Sequence, residues 1–426
     1  MSDQVPGLIS HAKRGLKLLL QFAIRLCFSS QLTGMKQSVL YKYIFRETRM
    51  ENIFKFADEL GPLKVIHVYE PSVNLKAVLV VDNVAKGPSI GGVRMAADVS
   101  TEECMRLARA MTFKNAAAGL AYGGGKAVLY GDPKMPKTEK EQLIRALANA
   151  LRNENTYIFA PDMGTDEECM AWVRDEIGRV VGLPREIGGI PLDEIGATGF
   201  GLSHVVDVAL NYCDFELKGA RLVVQGFGAV GKHATRFLTD KGAVLIAVAD
   251  SHGAVHNPEG LDVDKLIALK NEGRCVTDYL DAKKLARDDV IDVECDIWIP
   301  AARPDVVHED NVNRLNTRLV VEGANIPFTH GAEKILHDKG VLCIPDFIAN
   351  AGGVICAAME YEGASQAAAL AAIEEKLRRN TGQVLEAVKH KQILPRQAAM
   401  DLALQRVKKA MSFRRYSLFS CGPDYI

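Results

Sequence analysis

The sequence predicts an α/β protein of two domains, closed by a C-terminal group of helices. Three observations predict it. From about Met50 onward, β-rich apolar runs alternate with stretches of helical spacing, the pattern of a layered α/β architecture. Between Arg221 and Asp250, an apolar run, a glycine-rich turn, a helical pattern and a second apolar run follow one another directly. A chain of 426 residues, 48% hydrophobic and 25% charged, has the length for about two to three domains that each bury a core.

Residues 1–49 stand apart from this pattern. They hold eight Lys/Arg against two acids, Asp3 and Glu47. Their apolar stretch Leu16–Phe28 is interrupted by Lys17 and Arg25 and falls short of the ~20 residues of a membrane span. Such a basic, acid-poor leader resembles an organelle transit peptide. It also resembles upstream sequence translated ahead of a start at Met50, the reading preferred here.

The elements then follow in order. Leu63–Tyr69 and Leu75–Val81 are β-rich runs separated by Glu70-Pro71-Ser72, which predicts a hairpin. Ser100 and Glu103 have capping-box spacing, and Met105, Ala108, Met111 and Thr112 continue at helical intervals. A helix therefore starts near Thr101 and carries Lys114 towards its end. Thr138 with Glu141, and Thr165 with Glu168, repeat that spacing before further helical patterns, and Tyr157–Ala160 reads as a strand. Arg221–Gln225 is a strand, His233–Leu238 lies in a helix, and Ala243–Ala249 is a strand ending at Asp250. Beyond residue 360, Ala367–Asn380, Thr381–His390 and Gln397–Met411 read as three helices.

The turn between the first two of those later elements carries chemistry. In Gly226-Phe-Gly228-Ala-Val-Gly231 the glycines let backbone approach a pyrophosphate, and the helix N-terminus offers oriented N–H donors. Asp250, 19 residues after Gly231, is placed to accept from a ribose hydroxyl. Together these predict a Rossmann-type dinucleotide domain. Lys126 follows Gly123-Gly-Gly125, on what reads as a loop open to substrate, with Lys114 twelve residues earlier and Asp162 between a strand and a helix. Taken singly, each has a structural reading as a solvated helix residue, a turn residue or a helix N-terminal carboxylate.

Other classes are disfavoured by composition. With 52 Lys+Arg against 53 Asp+Glu there is no polyanion-binding signal. Nine cysteines without a CxxC pair read as reduced thiols of a cytoplasmic protein, not a disulfide frame or a zinc site, and no metal is expected. None of the ten histidines sits in the glycine-lysine cluster, which argues against a hydroxy-acid enzyme with a His base.

MTFKNAAAGL around Lys114, GGGKAVLYGDP around Lys126, PDMGT around Asp162, GATGFG at 196–201, GFGAVG at 226–231, EGAN at 322–325 and NAGGV at 350–354 resemble the glutamate/leucine/phenylalanine/valine dehydrogenase family. The resemblance runs from about Met50 to Met411 in the family's order. It implies reversible, NAD(P)-dependent oxidative deamination of an L-amino acid to a 2-oxo acid and ammonia, by a homo-oligomer. It implies a substrate domain over 50–195, a dinucleotide domain over 196–350, and C-terminal helices over 351–411 that pack back on the first domain. The tail 412–426 matches nothing recognised. By the same resemblance, Lys114 binds the substrate carboxylate, Lys126 activates water, and Asp162 moves the proton of the amino nitrogen. Gly91 and Gly92 line the carboxylate pocket, and Asn350 closes on substrate and cofactor. Thr198 meets the nicotinamide carboxamide, and Asn325 its ribose.

Substrate and cofactor are read from departures within that pattern. Glutamate-specific members resemble one another in a lysine before the GG of GGxR and a serine three residues after NAGGV; here these positions are Ile90 and Ala357. An unpaired buried carboxylate would cost several kcal/mol, so an apolar amino acid is expected, with glutamate as the alternative because PDMGT resembles that branch. A non-catalytic dinucleotide-binding relative is a remote alternative, since Lys114, Lys126 and Asp162 occur together. Asp250 favours NAD, while Ser251 and His252 beside it leave NADP open. Localisation is expected to be cytoplasmic, or mitochondrial if residues 1–49 are a transit peptide, with no membrane or nucleic acid partner.

Overall fold

The computed structural model describes residues 53–413, so both readings of the leader and that of the tail fall outside the described residues. Twelve strands form two sheets. In the first, β1 (Lys64–Glu70), β2 (Leu75–Asn83), β3 (Ser89–Ala96), β4 (Gly123–Tyr130) and β5 (Tyr157–Pro161) lie in the order β1-β2-β4-β3-β5. The expected hairpin is present, with Lys64 opposite Val81 and Glu70 opposite Leu75. Its turn is set by the Glu70 carboxylate, which accepts from the Ser72 N–H at 3.0 Å, and by Asn74 in the left-handed region at φ 52°. Strand β3 runs parallel to β4 and β5.

Three helices serve this sheet: α1 (Thr101–Ala117), α2 (Lys137–Ala150) and α3 (Glu167–Ile177). Ser100 caps α1 as its spacing predicts, accepting from the Glu103 N–H at 3.1 Å. The other two capping readings are corrected. Helix α2 starts behind Pro136 with no side-chain cap, and Thr138 lies inside its first turn. Asp166 caps α3, accepting from the Cys169 N–H at 2.9 Å. Thr165 instead accepts from the Asp162 N–H and donates to the Val93 carbonyl, pinning the turn after β5.

The second sheet has the order β12-β11-β10-β6-β7-β8-β9. Its strands β6 (Arg221–Gln225), β7 (Val244–Asp250), β10 (Ile297–Pro300), β11 (Leu319–Val321) and β12 (Leu342–Ile344) are parallel, and β8 (Gly253–His256) and β9 (Lys283–Leu285) turn back antiparallel. Helix α4 (Ala197–Ala209) precedes β6, α5 (Ala229–Asp240) joins β6 to β7, and α6 (Val263–Asn271) follows β8. Then come α7 (His330–Asp338), the single turn α8 (Asp346–Ala349) and α9 (Gly352–Tyr361).

Two long helices end the described chain: α10 (Gln366–Lys391) and α11 (Pro395–Ser412). The sequence splits the first of these at Asn380, but it is continuous. Ile373, Leu377, Thr381, Val384 and Leu385 stay on one buried face across that point, so no break exposes apolar surface. Helix α11 packs on α1 and α10, which returns the C-terminal helices to the first sheet. The side chains of Ile90, Ala117 and Ile158 share one apolar core with Leu202, Leu222, Ile355 and Leu377.

A buried carboxylate fastens the segment that passes between the sheets. Glu360 on α9 accepts from the backbone N–H groups of Gly182 at 2.7 Å, Leu183 at 3.1 Å and Ile190 at 2.7 Å. Three aligned donors stabilise a charge that burial alone disfavours. Among the described residues, no helix is long and apolar enough to cross a membrane.

Candidate active site

The ends of β3, β4, β5 and α1 converge on one cleft wall. Lys126 is not on a loop: it lies within β4, paired with Val80 on one side, and it is buried. The preceding glycines extend that strand because α1 crosses directly over it, so that a Cβ on Gly124 would stand 2.0 Å from the Thr112 nitrogen. The Lys126 amine meets Asp162 Oδ2 at 2.8 Å, just beyond the end of β5. Gly92 on β3 leaves the room for this meeting, since a Cβ there would come within 2.6 Å of the Asp162 Cβ and 3.2 Å of Lys126 Nζ. Its neighbour Gly91 turns its carbonyl to the Tyr157 hydroxyl, which donates at 2.6 Å.

Arg94 is a further member of the site to which the sequence assigned no role. Its Nε donates to Asp162 Oδ2 at 3.0 Å, and its Nη1 donates to Glu103 at 2.7 Å. Although burial works to raise it, the Asp162 carboxyl is held below the usual range by Lys126 and Arg94. Asp162 is therefore an anion held from both sides, by Lys126 and by Arg94.

Lys114 occupies the last turn of α1, where its Nζ lies 3.5 Å from Asn325 Oδ1. Burial pushes its pKa down to about 8; Asp346 opposes that shift, Lys126 adds to it and Asp162 opposes it. Asn350, at the C-cap of α8, donates from Nδ2 to Asn325 Oδ1 at 3.0 Å and to the Gly323 and Ala324 carbonyls. Its own Oδ1 is buried without a hydrogen-bond partner. A ligand amine is the kind of group that would satisfy it.

The dinucleotide candidates lie along the parallel sheet. Gly226 leaves β6 at φ 106°, and Gly231 crosses it so closely that a Cβ would be 1.8 Å from the Gly226 carbonyl. Gly228, the N-cap of α5, faces open space. A pyrophosphate fits this cradle, because the first N–H groups of α5 have no helical partner and no side chain covers them. Thr198 stands in the first turn of α4, and a Cβ on Gly353 would be 3.2 Å from its Oγ1. Beside Gln225 a cavity of about 330 Å³ opens, lined also by Ile291, Arg303, His308 and Arg314.

Asp250 ends β7 as expected but is already engaged. Its Oδ1 accepts from the His252 N–H at 2.9 Å, and its Oδ2 from the Val276 N–H at 2.9 Å and Lys270 Nζ at 2.8 Å. Lys270, on α6, went unnoticed because no spacing rule links it to Asp250. Among the described residues, the donor atoms of Asp250, His252 and Cys275 form the one grouping with metal-ligand chemistry, all within 4.8 Å of one another. The Lys270 ammonium already holds the carboxylate of that group.

Comparison with known proteins follows the same division. Residues 65–179 match the family model described as Glu/Leu/Phe/Val dehydrogenase, dimerisation domain, and residues 188–415 match that described as Glutamate/Leucine/Phenylalanine/Valine dehydrogenase. The NADP-specific glutamate dehydrogenase of Saccharolobus shibatae is 35% identical over 354 residues, 78% of this chain and 83% of that one. The NAD-specific glutamate dehydrogenase of Staphylococcus aureus is 33% identical over 354 residues, 79% of this chain and 85% of that one. Among solved structures, the leucine-bound hetero-hexameric glutamate dehydrogenase of Thermus thermophilus superposes with a TM-score of 0.75 at 30% identity, covering 83% of this chain and 90% of that one.

Proposed function

Because the chain belongs to the glutamate/leucine/phenylalanine/valine dehydrogenase family, NAD(P)-dependent oxidoreductases acting on CH–NH2 donors, we propose that this cleft carries out the reversible oxidative deamination of an L-amino acid. The observation that carries this reading is the 2.8 Å contact of Lys126 with Asp162 in a pocket also reached by Lys114. The bound dinucleotide supplies one thing, acceptance of hydride from the substrate Cα. The chain's residues do the rest. Lys114 holds the α-carboxylate, and Asn350 Oδ1 accepts from the amino group. Asp162 takes a proton from the substrate ammonium before hydride leaves Cα. Lys126 in its neutral form takes a proton from the water that adds to Cα of the iminium, and Asp162 returns its proton to the nitrogen, which departs as the hydroxyl gives up its own proton. Amino acid, water and oxidised dinucleotide thus give 2-oxo acid, ammonia, reduced dinucleotide and a proton. The cradle of Gly226, Gly228 and Gly231, with Thr198 and Asn325, is assigned to the dinucleotide, and the domain limits given above are retained as part of this proposal.

On the side chain of the substrate, the names of the relatives favour glutamate over the apolar amino acid expected from the sequence. A second reading, for an apolar amino acid, rests on Ile90 and Ala357, which are both buried and offer no charge to a second carboxylate. For the cofactor, the Asp250–Lys270 pair removes part of the repulsion that a lone aspartate would exert on a 2′-phosphate. We infer assembly from copies of this chain through the segment 65–179, by analogy with the model described as a dimerisation domain. A cytoplasmic location remains part of the proposal.

Initial rates with glutamate, leucine, valine and phenylalanine, each with NAD and NADP, decide among these readings. Turnover of glutamate alone supports the first and removes the second. Turnover of the apolar set alone does the reverse, and no turnover of any of them removes the proposed reaction.

A further inference from the structure

Behind the cleft lies a group of charges that the mechanism above does not use. Arg396, near the start of α11, donates from Nη1 to Asp346 Oδ1 at 2.9 Å, from Nη2 to Glu322 Oε2 at 2.8 Å, and from Nε to Glu333. All three carboxylates are buried. Glu322 Oε1 and Glu333 Oε2 have no hydrogen-bond partner, and burial pushes the Glu322 carboxyl well above the usual range. One guanidinium meets three carboxylates, so the group keeps a surplus negative charge even when one of them is protonated.

That surplus is aimed. Asp346 Oδ2 accepts from the Ile326 N–H at 2.9 Å, and Ile326 follows Asn325, whose amide oxygen faces Lys114. Helix α8, which Asp346 opens, packs on α1. Helix α11 fixes both sides of this arrangement. Its Arg396 grips Asp346, while its Arg406 donates to the carbonyls of Ala117 at 2.6 Å and Ala116 at 3.2 Å, at the end of the helix that bears Lys114. The charges that act on Lys114 are those of Asp346 on α8, Lys126 on β4 and Asp162 beyond β5. Asp162 is in contact with both Lys126 and Arg94, whereas Asp346 belongs to a group in which one guanidinium meets three carboxylates, so Asp346 is the stronger counter-charge for Lys114.

We propose that Asp346, held by Arg396, is the positioning counter-charge of Lys114, keeping its amine cationic and in place for the substrate carboxylate. The proposal rests on the reading of Lys114 given above. It assigns Arg396 and Asp346 an effect on amino acid binding without contact with the substrate.

Two variants of the full chain test it, Asp346→Asn and Arg396→Lys, each followed by the KM of the amino acid from pH 6 to 10 and by fluorescence titration with reduced dinucleotide. In the unmodified protein the amino acid KM rises as Lys114 loses its proton. Asp346→Asn is expected to move that alkaline limb down by about one pH unit, equivalent to a tenfold weaker amino acid affinity on the limb. Dinucleotide binding stays within twofold, and kcat at saturation changes less than KM. Arg396→Lys keeps the charge but loses the three-way fork, and is expected to move the limb in the same direction by less. An unmoved limb in a variant that binds dinucleotide normally overturns the proposal. If Asp346→Asn loses dinucleotide binding, Arg396→Lys decides; loss in both overturns the proposal too, because it assigns the cluster to folding and not to Lys114. Absence of amino acid turnover in the unmodified protein removes the underlying reading, whereas activity with an unmoved limb removes only the counter-charge.

Discussion

Lys126 and Asp162 lie 36 residues apart in the chain and 2.8 Å apart in space, and Arg94 holds the same carboxylate at 3.0 Å. Replacing Lys126 with Ala is expected to lower kcat by about 100-fold or more, the range for a positioned acid–base group, while dinucleotide binding persists. Near-normal turnover in that variant would take the lysine out of the chemistry. Lys114 leads to a pH prediction of definite sign. Its pKa of about 8 means that the ammonium is present below that pH and lost above it, so affinity for the amino acid and the 2-oxo acid should fall as pH rises through 8. Measuring the Kd of a non-reacting dicarboxylate or branched acid inhibitor across that range checks it. The sequence exposed these residues because short motifs surround them. It hid Arg94, Lys270 and Arg396, whose partners stand 68, 20 and 50–74 residues away, respectively, with no periodicity to announce them.

At the scale of elements, local rules held where no stronger local cap competed. Ser100 caps α1 because its own backbone is extended, which turns its hydroxyl to the Glu103 N–H, and Ser100→Ala should cost about 1 kcal/mol, read as a lowered denaturation midpoint with unchanged slope. At Thr138 and Thr165 the same spacing misled, since Pro136 had already set the entry to α2 and Asp166 is the better acceptor one residue later. The reading of Lys126 as a loop residue failed for a related reason. Three glycines read as a break, yet here a Cβ on Gly124 would strike the crossing helix and one on Gly123 or Gly125 a neighbouring strand, so the strand needs all three. Glu360→Ala should be far more damaging than the Ser100 variant. It leaves three buried N–H groups unpaired, at about 1–3 kcal/mol each, and partial loss of folded protein at 37 °C by circular dichroism is the expected result.

For the whole molecule, the two-domain plan followed from the alternation of apolar runs and from the glycine turn, whereas the joining of the lobes by the C-terminal helices came only from the family resemblance. That joining depends on α10 being one uninterrupted helix and on α11 reaching back to α1, and both are tertiary outcomes. A chain beginning at Met50 is expected to fold and turn over like the full sequence, because every motif that carries the family resemblance lies after it. Loss of soluble, active protein on that truncation, followed by gel filtration and initial rates, would count against it. The grip of Glu360 on the segment from Gly182 to Ile190 has an evolutionary side. Its three partners are main-chain groups that every residue except proline possesses, so the hold does not depend on the exposed side chains between them. A passage anchored in this way can be retuned in charge or polarity at its exposed positions Arg185, Glu186 and Ile187, while Gly182 and Gly189 have no room for a side chain and proline is barred at 183 and 190.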